Sequence, residues 1–105
     1  MKTKEWYAWI NTMPPKPDDL HVIGQVTVSN PGIEALLTAR ESSGKPSIIE
    51  LDLHLVQRPG MWPTVVTVTQ VRYDQILSPI SPQYTQACIF LDGTMIEQLE
   101  VEVIR

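Results

Sequence analysis

Glu50, Asp52 and His54 stand two residues apart, separated by Leu51 and Leu53 and followed by Leu55. Two carboxylates and an imidazole bind hard or borderline cations and exchange protons, so metal-dependent or hydrolytic chemistry would be sought here first. A period of two places all three on one face of a β-strand, with neighbours about 6.6–7 Å apart. A flat row of that kind does not converge on a point about 2.0–2.6 Å from each donor. A centre here would need completion from elsewhere, by His21 or Glu97. The simpler reading is a solvated strand face. No catalytic residue and no metal ligand is assigned, and no cofactor is expected.

Other chemistry finds less support. Cys88 is the single cysteine, so neither an intrachain disulfide nor a thiol-rich metal site can form. It lies between Ala87 and Ile89 in an apolar run, which suits a small packed residue better than an activated thiolate. No serine occupies a Gly-x-Ser-x-Gly turn, and the five glycines are isolated, without a phosphate-binding fingerprint.

Residues suited to binding are easier to find. Arg58-Pro59-Gly60-Met61-Trp62-Pro63 carries Arg, Met and Trp, types enriched at interfaces, on a loop stiffened by two prolines. Arg58, Met61 and Trp62 are therefore candidate contact residues. A loop presented to a protease around Arg58 is an alternative, weakened because Pro59 makes the Arg58 bond a poor substrate. In the competing structural reading, Trp62 folds back over the end of the domain. Trp6 and Trp9 are the other candidates, on a short aromatic segment read as an edge strand. Trp6, Ala8 and Ile10 share one face and Tyr7 and Trp9 the other, so either loops cover both faces or one set meets a second copy. Pro14, Pro15 and Pro17 follow as guards against further pairing.

These residues need a scaffold, and alternation supplies it. Ile48 to Val56 is the clearest strand. His21 to Val28 is another, with Val22, Val26 and Val28 on one face; Thr64 to Tyr73 is Val- and Thr-rich and is expected to be covered on both sides. Ile33 to Arg40 is read as a strand because Ile33, Ala35, Leu37 and Ala39 alternate. The alternative is a helix near residues 31–43, capped by Asn30 and ended at Gly44. Glu41 to Pro46 is a polar loop, and Asp74 to Pro82 an irregular connection. Asp92-Gly93 marks a hairpin. A three-residue loop with a left-handed Gly93 segregates its faces best, setting Ala87, Ile89, Leu91, Met95, Leu99, Val101 and Val103 inward.

The chain has 105 residues, enough for one core, and residues 1–105 are expected to be one domain. At 43% hydrophobic and 19% charged it is globular in composition, and no apolar run approaches the about 20 residues of a membrane-spanning helix. The net charge is −4, and the eight Lys and Arg are scattered, so a nucleic-acid partner is not expected. No secretory signal is read in the first ten residues, making the cytoplasm the default expectation; an exported mature domain with an added Met1 would look the same. About seven strands with short connections predict an all-β fold, a small two-sheet antiparallel β-sandwich of immunoglobulin-like architecture. The expected function is a non-enzymatic module that binds another protein or assembles with itself.

Overall fold

Seven strands form in the computed structural model, which describes residues 3–40, 47–78 and 83–104. They are β1 (Thr3–Asn11), β2 (Asp19–Val28), β3 (Ile33–Ala39), β4 (Ile48–Gln57), β5 (Thr67–Ile76), β6 (Gln86–Leu91) and β7 (Thr94–Ile104). A strand turns successive side chains to opposite faces, so alternating sequence becomes a one-sided core. Leu20, Val22, Val26 and Val28 of β2 are buried with Ile49, Leu51 and Leu53 of β4, and Ala8, Ile10, Val71, Leu77, Ala87 and Ile89 pack in the same interior. Residues 33–39 are strand rather than helix: Ala35 and Leu37 enter the core. The Asn30 carboxamide accepts the Gly32 N–H at 2.9 Å, an Asx turn in place of a helix cap. The loop expected at Glu41 to Pro46, the end of the alternative helix, and Pro79 to Pro82 lie outside the described residues.

The strands make one sheet in the order β3-β4-β6-β7-β1-β2-β5. Its outer strands β3 and β5 lie side by side, so the sheet curls into a near-closed barrel. The fold is all-β, as expected, but it is mixed: β1 runs parallel to β7, and β4 parallel to β6. The antiparallel two-sheet, immunoglobulin-like expectation is corrected accordingly. The reason is β7, whose residues 94–100 pair with β6 and whose residues 101–104 pair with β1. At the handover the Val101 N–H donates to Thr85 O at 2.9 Å. One long strand thereby joins what alternation alone reads as two layers.

Three further expectations change. β1 is not an edge strand, because it lies between β7 and β2. β5 is not covered on both sides: Val68, Gln70, Arg72, Asp74 and Ile76 are exposed on its outer face. In the β6–β7 hairpin, Leu91 pairs with Thr94 across a two-residue turn in which Asp92 and Gly93 have φ of 51° and 81°. Both left-handed values match a type I′ turn. The extra residue is Ile96, because the register jumps from Phe90↔Met95 to Ile89↔Glu97. Beyond that bulge Ala87 faces Leu99 and Gln86 faces Glu100, the pairing the three-residue loop would have produced. The shift leaves Met95 half exposed and packs Ile96 against the core.

Strand directions define two ends. The β2–β3 turn, the β4–β5 loop and the Asp92-Gly93 hairpin lie at the upper end; the β1–β2 loop, the start of β6 and the end of β7 lie at the lower.

Candidate functional site

The candidate contact residues Arg58, Met61 and Trp62 come together on the β4–β5 loop at the upper end. Every residue from Val56 to Val66 is exposed. Met61 is fully exposed, Val66 is 73% exposed and Val65 56%. The base of this arm is nevertheless clamped. Gln57 and Asn30 pair through their carboxamides at 2.8 and 3.2 Å, and the Arg58 N–H donates to Gly32 O at 2.8 Å. The Arg58 guanidinium reaches Glu34 at 3.4 Å. Trp62 bends back so that its Nε1 donates to Arg58 O at 3.0 Å, with the indole against Gly32. Gly32 is small for a reason: a Cβ there would meet Trp62 Nε1 at 2.4 Å. Trp62 is thus folded back yet still 39% exposed, presenting one face to solvent while the other is fixed. A preheld aromatic loses less entropy on contact than a mobile one.

Asn30, Gly32, Glu34 and Gln57 belong to this site and were not singled out from the sequence. Asn30-Pro31-Gly32 is legible as a turn, but its partner across the upper end is not, because the contact spans more than twenty residues.

Trp6 and Trp9 join neither each other nor one surface. Trp6 faces inward over Gly24, and its Nε1 is buried without a hydrogen-bond partner among the described residues. Trp9 faces outward and packs on His21 with ring centroids 5.2 Å apart. In the ladder it lies between Glu102 of β7 and His21 of β2, and His21 in turn lies beside Asp74 of β5. His21 Nε2 faces Asp19 at 2.7 Å and its Nδ1 faces Asp74 at 2.5 Å, so both ring nitrogens are engaged by carboxylates. Arg72 donates to both Asp74 oxygens at 2.9 and 3.0 Å. That hydrogen bond is the main reason the Asp74 carboxyl sits below the usual carboxylate range.

The β4 row is occupied by cross-strand partners. Arg40 grips Asp52 at 2.7 and 3.3 Å and lies over the Phe90 ring at 4.2 Å. Thr38 Oγ1 is 2.7 Å from His54 Nε2. A hydroxyl beside an imidazole invites comparison with a nucleophile and its base, but Asp52, the carboxylate nearest in sequence to orient His54, is held by Arg40 instead. His21 does not complete the row, because β2 is separated from β4 by β6, β7 and β1 in the sheet. Glu97 is opposite Ile89 on β7, one strand further than β6. Among the described residues no group of three or more His, Cys, Asp or Glu is placed to hold a metal ion. Cys88 is buried, and burial first, then the neighbouring Glu50, push its thiol up. No helix among the described residues is long and apolar enough to cross a membrane.

Comparison with protein-family models, with curated proteins and with solved structures finds no match to this chain.

Proposed function

We propose that this chain is a non-enzymatic binding module that uses the clamped Val56 to Val66 arm to contact another protein chain. One observation carries the reading: eleven consecutive residues are exposed, and they include Met61, Trp62, Val65 and Val66 on a base fixed by Asn30, Gly32 and Gln57. Solvent alone gives no reason to display so much apolar surface on an ordered loop. Interfaces draw their affinity from a few such residues, Trp and Arg above all. The test is affinity capture from lysate of the source organism with wild type and an Arg58→Ala/Trp62→Ala variant, after circular dichroism shows both folded. A protein retained by wild type and lost by the variant supports the reading. Identical capture by both removes the arm from consideration.

A further inference from the structure

We infer that the arm's partner is a second copy of this chain, engaged head to tail, with the upper-end arm seated in a cavity at the lower end of the next molecule. The inference rests on the reading of the arm as an interaction surface. The cavity has a volume of about 220 Å³ and is lined by Ile10, Leu77, Tyr84, Val101 and Val103, with Asp18 at its polar side. That is smaller than the about 300–1,000 Å³ of sites built for drug-sized ligands, and larger than the about 150 Å³ that holds benzene. It suits one large apolar side chain. Met61, unbranched and fully exposed, is such a side chain, and an unbranched thioether adapts to an irregular hole.

The charges agree. Arg58 is the single charged residue between Val56 and Val66, and Asp18 is the single charged residue among those lining the cavity. Arg58 is half exposed in a 3.4 Å pair with Glu34; Asp18 holds the exposed Lys16 at 2.6 Å. Exposed pairs of this kind exchange partners at little cost. More apolar surface rims the lower end: Met13 is 51% exposed, Val103 48% and Ile104 41%.

Knob and hole cannot meet within one molecule. They lie at opposite ends of ten-residue strands, which span about 33 Å. A surface that fits a different surface of its own copy makes a heterologous contact, which extends into chains or closes into rings.

The test is sedimentation velocity over a wide concentration range on wild type, on Met61→Asp/Val66→Asp, which blocks the arm, and on Val103→Asp, which blocks the cavity rim. All three substituted residues are exposed; should Val103→Asp lose its β spectrum, Asp18→Arg replaces it. Wild type is expected to grow past dimer with concentration, and each variant alone to stay monomeric. An equimolar mixture of the two is expected to stop at dimers, since it retains one intact arm and one intact cavity per pair. A wild type that stays monomeric throughout overturns the inference, as does a mixture that stays monomeric or a wild type that stops at dimer, the last being the result expected if the contact were symmetric. A monomeric wild type that still captures a different protein through Arg58 and Trp62 would leave the binding reading standing.

Discussion

The Trp6 indole lies over Gly24 across the β1–β2 ladder, so close that a Cβ on residue 24 would meet its Cε3 at 2.3 Å. The cause is a register jump: Lys4 pairs with Gln25 and Tyr7 with Ile23, so Glu5 and Trp6 together oppose Gly24. Glu5 takes a left-handed φ of 55°, the kink that lets the bulge turn Trp6 inward. A large ring thereby covers a strand glycine, which otherwise leaves a gap in the pleated surface.

Gly24→Ala should therefore cost about 1–3 kcal/mol, the range for forcing atoms into a packed interior. In a Trp6→Leu background the same substitution should cost less, because its collision partner is gone. Urea midpoints for the four proteins check this. Equal costs in the two backgrounds would mean that the ring is not what keeps residue 24 bare.

Gly93 meets a different constraint. No atom lies within 4 Å of its missing Cβ, but its φ is 81°. Gly93→Ala should lose about 1–2 kcal/mol through backbone strain alone. Asp92→Asn, at φ 51°, should be neutral or slightly stabilising, since Asn tolerates that region well. Thermal melting of both variants separates the strain account from a packing account, which predicts no loss at Gly93.

Which parts of this structure were legible follows from what alternation encodes. Ile49, Leu51 and Leu53 point inward because a strand has two faces, and that is written locally; the same logic found Ala35 and Leu37 over the competing Asn30-Pro31 helix start. Neighbour identity is not local. Nothing in the Trp6 to Ile10 segment announces parallel pairing with Val101 to Ile104, so β1 reads as an edge and the barrel as a sandwich. The hairpin shows the boundary between the two: the parity of Ala87 and Leu99 was legible, whereas the bulge could sit at the turn or at Ile96 with the same consequence downstream. At the site, Arg58, Met61 and Trp62 were legible as residue types. The Asn30–Gln57 clamp was not, because it joins two turns that only the closed sheet brings together.

Acid should reveal the Asp74 contacts. The Arg72 hydrogen bond is the largest influence on its carboxyl; burial opposes it and His21 adds to it, leaving the net shift downward. A carboxyl lowered on folding stabilises above its unfolded value and loses that contribution as pH falls through the folded value. The stability difference between wild type and Asp74→Asn should hold steady down to about pH 5 and shrink below about pH 4. Added salt should reduce it, because the side chain is 48% exposed. Urea titrations across that range check this; a difference unchanged at about pH 2 would assign Asp74 a role other than its charge.

Cys88 titrates in the opposite sense. Its thiol is raised by burial and then by Glu50, so its contribution is complete below the unfolded thiol value and is lost as pH rises through the folded one. Iodoacetamide should label native protein slowly at neutral pH and denatured protein readily, and wild-type stability should decline relative to Cys88→Ala above about pH 8.5. Equal labelling of both states would show that the β6 position is open to solvent.

Gly32→Ala offers a way to disturb the arm while keeping every one of its side chains. A Cβ at residue 32 would come within 2.4–2.5 Å of the Trp62 indole, and Trp62, already 39% exposed, can yield by swinging outward. Residue 32 is buried but has no left-handed φ to penalise the alanine, so the cost to folding is that of displacing the indole from its Arg58 hydrogen bond, about 0.5–1.5 kcal/mol. The effect should appear in binding. An aromatic that must be ordered on contact forfeits about 0.5–1.5 kcal/mol, which is about 2–10-fold in affinity for whatever the arm engages. With 5-fluorotryptophan the three indoles give three fluorine resonances, and Gly32→Ala should move one, the same one that Trp62→Phe removes. A shifted Trp62 resonance with unchanged assembly or capture would show that its fixed orientation contributes nothing to the contact; an unshifted resonance would mean that the clamp on Gly32 is looser than its distances imply.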